Sequence, residues 1–347
     1  MTAPDLTPAR GASPPTSVVL PLRNARSTLD SALESVLAQS DPDFELLAID
    51  DGSRDGSGAR LRDWAARDPR VRVLSFPESS GDLVGALRAG CAVARGRYLL
   101  RMDADDLAHP ERLARTRALL ESDPRLGVVG CLVRSFPEAS IQAGRARYDA
   151  WLNGLRRHED MLRERFVESP LAHPSVLLRR EALEGVGGYR SFAGPEDYDL
   201  WLRLFQAGWR AEKVPAILHF WREGEGRLSR VDSRYGRAGM GRARSEALVA
   251  HLAGRPAAIA GAGQAGRRLA RDLLAGGAQV SFFLDLDPRK VGKAPHGVPV
   301  LGIEAGLEAR RQELILTCVN GWGRRAAVRR LLEERGLEEG PDFLLAG

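Results

Sequence analysis

Lysine is almost missing from this chain: it occurs only at 213, 290 and 293, so 48 of the 51 basic residues are arginine. Such a bias, alongside abundant alanine and glycine, points to genome composition rather than a nucleic-acid surface. The arginines are interspersed with 46 acids, and a formal charge of +5 selects no partner. Cysteine is equally scarce. Cys91, Cys131 and Cys318 are odd in number, scattered, and form no CxxC, which argues against a disulfide framework or a structural zinc site and fits a reducing cytoplasm. No apolar run approaches the roughly 20 residues that cross a bilayer. The opening MTAPDLTPARGASPPT carries no apolar signal core. Neither an integral membrane protein nor an ordinary secreted one is expected.

What is present suits a soluble globular protein of about two domains: 347 residues, 44% hydrophobic and 28% charged. Residues 1–16, rich in Pro, Ala and Thr, are expected to be a disordered tail. The runs SVVLPL (17–22), FELLAID (44–50), VRVLSF (71–76) and RYLLRM (97–102) have the pattern of buried strands. Helical rhythm separates them over 28–39, 58–66 and 83–94. Strands and helices in alternation imply a mainly parallel sheet covered on both faces. From about 137 to 230 the alternation weakens. The stretch 231–254 is a basic, helical linker with Arg234, Arg237, Arg242 and Arg244. It suits a solvated connector; attraction to an anionic lipid surface is the alternative, but its apolar face is poor. A second strand–helix alternation starts at Ala257, so a domain boundary is expected near 254.

Three acidic clusters stand out. Asp103-Ala-Asp105-Asp106 ends a buried strand, where three carboxylates repel one another unless a cation sits among them. A hard Mg²⁺ or Mn²⁺ with oxygen ligands answers that need and commonly bridges carboxylates to phosphates. The alternative is a turn with acids near the start of the helix in HPERLARTRALL, which explains one Asp better than three. Asp50-Asp51-Gly52-Ser53 is either a tight turn or a strand end offering a carboxylate to a nucleoside. In PEDYDLWLRLFQAGW, Leu200, Trp201, Leu204 and Phe205 form one helical stripe, which puts Glu196 and Asp197 at the helix N-terminus. Acids are stabilised there by the helix dipole whether functional or not, and an ionised one suits a general base.

In this order the clusters resemble the family 2 inverting glycosyltransferases of the GT-A fold, over roughly residues 17–230. SVVLPLRNARSTLDSALESVLAQS is similar to the family's opening strand and helix, FELLAIDDGSRDGS to its nucleotide-binding turn, and RYLLRMDADDLAHPERL to its metal-binding segment. HPSVLLRREALEGVGGYR with EDYDLWLRL resembles its acceptor and catalytic half. The resemblance implies an α/β enzyme of hexosyltransferase type that uses a nucleotide-sugar donor and a glycan or lipid-linked acceptor, working in the cytoplasm or at the inner face of the membrane. Pro21, Arg23, Asp51 and Asp103 would bind the donor nucleotide. Asp103 and Asp105 would hold Mn²⁺ or Mg²⁺, Asp197 would be the general base, and Glu196 its neighbour on the acceptor side. His173 and Arg222 match recurrent positions near acceptor and diphosphate. Arg23 departs from the family's usual base-stacking aromatic, though a guanidinium also stacks. The segment WREGEGRLSR lacks the histidine often found shortly after the family's arginine.

Gly261-Ala-Gly263-Gln-Ala-Gly266 follows the strand AAIA and opens a helix, and Asp285 ends the next strand 24 residues beyond Gly261. This matches the dinucleotide fingerprint. The segment 255–347 resembles small Rossmann-like domains that accompany sugar-modifying proteins, and implies a site for NAD(P) or a nucleotide sugar. Two further functions stay open at this stage: an NAD(P)-dependent sugar dehydrogenase or epimerase acting through this domain, and a non-catalytic scaffold that binds nucleotide or glycan. Nucleic acid is not an expected partner.

Overall fold

The computed structural model describes residues 14–76, 82–224, 227–319 and 321–347. The proposed tail falls mostly outside them, at 1–13, and Thr16 already opens the first strand. The contacts divide the chain into two compact units. One comprises Met1–His158, Leu171–Phe192 and Arg203–Arg227; the other comprises Glu159–Pro170, Ala193–Leu202 and Leu228–Gly347.

The first unit is built on an eight-stranded mixed sheet. Its strands are β1 (Thr16–Leu22), β2 (Phe44–Asp51), β3 (Val71–Phe76), β4 (Tyr98–Arg101), β5 (Leu107–Ala108), β6 (Leu126–Phe136), β7 (Leu177–Arg179) and β8 (Arg210–Arg222), in the order β3-β2-β1-β4-β7-β6-β8-β5. β1, β2, β3 and β4 run parallel, and every residue of β1, β2 and β4 is buried, as central parallel strands demand. Helices α1 (Leu29–Leu37), α2 (Ser57–Arg67), α3 (Leu83–Val93) and α4 (Arg112–Ser122) connect and cover them. Leu29, Leu33 and Val36 of α1 form a stripe packed with Val18, Leu20 and Leu46. Past residue 126 lie two long strands, β6 and β8, paired in parallel with three register irregularities. Helices α5 (Ala143–Gly154) and α7 (Arg180–Gly185) lie in this unit, while α6 (His158–Glu164) and α8 (Glu196–Gln206) fall largely, from Glu159 and up to Leu202 respectively, in the second.

The second unit carries helices α9 (Leu228–Val231) and α10 (Arg237–Leu252), then a wholly parallel five-stranded sheet. Strands β9 (Ala257–Ala260), β10 (Val280–Asp285), β11 (Val300–Gly302), β12 (Leu314–Thr317) and β13 (Phe343–Leu345) lie in the order β11-β10-β9-β12-β13. Helices α11 (Gln264–Ala275), α12 (Ile303–Ala309) and α13 (Trp322–Glu333) alternate with them. Ala258, Phe282, Ile315, Leu332 and Phe343 share its core. Among the described residues, no helix is long and apolar enough to cross a membrane.

Candidate active site

In parallel sheets ligands bind beyond the strands' C-terminal ends, and β2, β1 and β4, neighbours in the first sheet, end together. Asp51 closes β2 and is 7% exposed. Pro21 is buried in β1 opposite Ile49, and Arg23 stands exposed just past its end. The β1–α1 loop is stitched to the turn after β2. The backbone N–H groups of Asn24, Ala25 and Arg26 donate to Ser53 Oγ, Ser57 Oγ and Asp55 Oδ2 at 2.9, 3.0 and 2.9 Å. The turn needs Gly52 and Gly56 at φ of 71° and 94°, a left-handed conformation that glycine adopts without steric cost. These bonds explain why DDGSRDGSG lies where it does.

The acidic loop follows β4. Ligand atoms of Asp103, Asp105 and Asp106 all lie within 4.8 Å of one another. Asp103 Oδ1 is 2.7 Å from Arg101 Nη2. Burial pushes the Asp103 carboxyl up, but Arg101, with His173 beyond it, outweighs that and holds it below its ordinary value. Among the described residues, Asp105 has no such cation in contact, only the charge of Arg227 acting on it. Burial, then Asp103 and Asp106, push it up to about 7. Arg101 answers only part of the charge on these three hard oxygen donors, and the arrangement fits a divalent cation. Asp106 is 1% exposed, and its oxygens face inward onto His219 Nε2 (2.9 Å) and the Arg222 N–H (2.7 Å).

His173 is buried in the short turn before β7, its Nε2 lying 2.8 Å from the Tyr189 hydroxyl. Arg222 ends β8, where its Nε donates to the Asp105 carbonyl at 2.6 Å and its guanidinium lies over Phe136. Three residues that sequence reasoning passed over also belong here. Arg112 and His219 are wholly buried under the loop. Arg227 stacks on Trp221 and pairs with Glu223, and its charge acts on all three aspartates. A cation shortly after Arg222 was thus readable in WREGEGR, but nothing in the spacing says that it turns back toward DADD.

Glu196 and Asp197 belong to the second unit, in the first turn of α8. Glu196 is 2% exposed and accepts from the Tyr235 hydroxyl at 2.6 Å. Asp197 is partly buried, and its Oδ1 accepts from the Tyr198 N–H at 2.7 Å. Burial first, then Glu196 and Glu168, push the Asp197 carboxyl well above its ordinary value. The helix N-terminus is expected to keep this acid ionised, but burial and the neighbouring acids outweigh the dipole. The group holds a proton more readily than a free carboxylate and, once ionised, is the stronger base. Tyr235 lies in the stretch that sequence alone treats as a linker.

The family model described as Glycosyl transferase family 2 matches residues 17–187. The putative glycosyltransferase EpsE of Bacillus subtilis (strain 168) is 30% identical over 226 residues, 64% of this chain and 78% of that protein. The chain belongs to glycosyl transferase family 2. The amylovoran biosynthesis glycosyltransferase AmsE of Erwinia amylovora is 29% identical over 209 residues, 58% of this chain and 74% of that one. Among solved structures, S. aureus TarS 1–349 in complex with UDP-GlcNAc aligns with a TM-score of 0.52 and 16% identity, over 69% of this chain and 72% of that one. At that identity the likeness concerns the fold alone, which is α/β and GT-A-like. The protein is therefore a glycosyltransferase, with relatives named for polysaccharide biosynthesis.

Beyond the family 2 match, the second unit holds the glycine-rich turn. Gly261 takes φ of 110°, and its N–H donates to Leu284 O at 2.7 Å. A Cβ on Gly266 would meet the Gly261 carbonyl at 1.8 Å, so this residue must be glycine for α11 to pack. A Cβ on Gly263 would meet nothing within 4 Å. Asp285 ends β10 and is already engaged: it accepts from the Ala262 N–H at 2.8 Å and pairs with Lys290 Nζ at 2.9 Å.

Proposed function

We propose that this glycosyltransferase is metal-dependent and inverting. It moves a hexosyl group from a nucleoside diphosphate sugar to a hydroxyl of a glycan or lipid-linked acceptor, in the cytoplasm or at the inner face of the membrane. The observation that carries the reading is the acidic loop, in which Asp103 and Asp105 present carboxylates at the same sheet edge as Asp51. Asp51 receives the nucleoside, with Pro21 and Arg23 beside it. Asp103 and Asp105 hold the cation, and bound there Mn²⁺ or Mg²⁺ supplies positive charge that offsets the diphosphate's. Arg227, with Arg222 behind it, adds to that field. The acceptor oxygen attacks the anomeric carbon from the face opposite the diphosphate, the bond to the diphosphate oxygen breaks with its electron pair, and the acceptor's proton passes to Asp197. Nothing in this sequence of events uses hydride, so DADD favours transfer over a dehydrogenase or epimerase.

A thermal-shift panel on the full-length chain tests this. A nucleotide sugar with Mn²⁺ should raise Tm by several degrees, because ligand at 100 times its dissociation constant stabilises by about 2.7 kcal/mol. Each alone should do much less. A shift produced only by NAD(P), with hydride transfer to it, would overturn the reading.

The parallel sheet of the second unit is the Rossmann-like module, and it binds NAD(P) or a nucleotide sugar at Gly261, Gly263, Gly266 and Asp285 without contributing chemistry. The open space above Gly263 supports this, because it is where pyrophosphate would approach the backbone at the start of α11. A ribose diol would compete with Lys290 for Asp285, which favours a ligand held mainly through its phosphates. Calorimetric titration of the full-length chain with NAD⁺, NADP⁺ and nucleotide sugars should resolve a second binding event beyond the donor's. Gly263→Val should remove it with little change in Tm, since a Cβ there meets nothing within 4 Å. A wild-type chain with one event, or a variant that keeps both, would refute the assignment.

A further inference from the structure

Three carboxylates follow β4, and their mutual distances would let all three ligate one cation. Their partners divide them. Arg112, in the first turn of α4, is wholly buried and, among the described residues, has no carboxylate within ion-pair distance. Its Nη2 donates to the carbonyls of Arg101 and Pro174 at 2.6 and 2.5 Å, and its Nη1 to Met102 Sδ at 3.3 Å. The same Nη1 lies 3.0 Å from His219 Nδ1. A guanidinium has no acceptor, so Nδ1 must accept and the histidine proton must sit on Nε2. That Nε2–H points at Asp106 Oδ2, 2.9 Å away, while Asp106 Oδ1 takes the Arg222 N–H at 2.7 Å. Both Asp106 oxygens therefore face donors. A buried guanidinium is costly unless its N–H groups find acceptors. Through these bonds Arg112, His219 and Asp106 tie the exit of β4, the turn at His173–Ser175 and the acidic loop into one frame.

We propose that Asp106 is a positioning residue, the end of a buried Arg112–His219–Asp106 relay that sets the loop so that Asp103 and Asp105 alone face the cation. This rests on the reading that Asp103 and Asp105 bind a divalent ion. Outer partners of this kind typically alter metal affinity 10–100-fold when removed.

The test uses the full-length chain and Mn²⁺ alone, with free Mn²⁺ followed by electron paramagnetic resonance. His219→Met fills the site but donates nothing, and should weaken Mn²⁺ binding on the order of 10–100-fold. His219→Gln places an amide N–H near the former Nε2 and should restore affinity to within about threefold. In turnover, the Met variant should raise the Mn²⁺ requirement and leave the acceptor KM unchanged. A folded His219→Met with wild-type Mn²⁺ affinity would overturn the relay. Failure of the wild-type chain to bind Mn²⁺ would instead overturn the metal reading, and the relay with it. Should the Met variant not fold, Asp106→Asn decides by the sign of its effect on metal-free Tm. An amide can match only one of the two N–H donors, so the relay requires Tm to fall. A third ligand free of such bonds would gain from losing its charge beside Asp103, and Tm would rise.

Discussion

Asp105→Asn should abolish Mn²⁺-dependent donor binding and turnover, while the metal-free protein melts a few degrees higher. The two effects have one cause. Asp105 is pushed up to about 7 by burial and by Asp103 and Asp106, so in the absence of a cation its charge is resisted by its surroundings. Replacing the carboxylate by an amide of the same shape removes that repulsion and one of the two proposed ligands together. Asp103 cannot replace it, since Arg101 already occupies one of its oxygens at 2.7 Å. Donor-hydrolysis assays across a Mn²⁺ titration and scanning calorimetry on the apo chain read the two effects separately. Undiminished metal-dependent activity in the variant would exclude Asp105 as a ligand. A fall in apo Tm would mean that the loop depends on the carboxylate for its shape.

The parts of the molecule that were legible in the sequence are those whose signal is local. Buried parallel strands are apolar nearly throughout, so SVVLPL, FELLAID and RYLLRM stand out, and the acidic groups that end the last two fall at one sheet edge as a consequence. β8 was harder. It carries Arg210, Glu212 and Lys213, and its buried Lys213 is accommodated by a hydrogen bond from Nζ to the Leu152 carbonyl at 2.6 Å, a partner 61 residues away. β6 is apolar for most of its length, but its pairing with β8 shifts register and no short pattern announces it. α10 buries Gly239, Ala243 and Ser245 beside Leu248 and Leu252, so a hydropathy count sees little of its inner face. At the site the same rule holds. DADD can be read as a cluster, but the division of labour within it comes from Arg112 and His219, which lie 107 positions apart and look like an ordinary helix arginine and strand histidine. Tyr235 meets Glu196 across 39 positions, and nothing in either segment alone suggests it.

Asp197→Asn should cut transfer by about 10²–10⁴-fold, the usual size of a general-base contribution, with donor affinity nearly unchanged. The base acts on the acceptor hydroxyl, so donor binding has no need of it. The pH dependence follows from what surrounds the group. Burial, then Glu196 and Glu168, raise the Asp197 carboxyl well above its ordinary value. A base must be ionised to work, so kcat should fall toward acid pH with a midpoint above the ordinary carboxylate range. Glu196→Gln, which removes the neighbouring carboxylate with the larger effect, should move that midpoint down. Stability runs the opposite way. A carboxyl whose folded pKa exceeds its unfolded one stabilises fully below the unfolded value, and that contribution is lost as pH rises through the folded value. Asp197→Asn should therefore raise Tm more at pH 8 than at pH 5. Rapid-quench turnover of pre-bound donor, calorimetric donor titration and melting curves across pH distinguish the roles. Collapse of donor affinity with surviving turnover of bound donor would move Asp197 to the nucleotide pocket. A pH midpoint unmoved by Glu196→Gln would mean that some other group supplies the base.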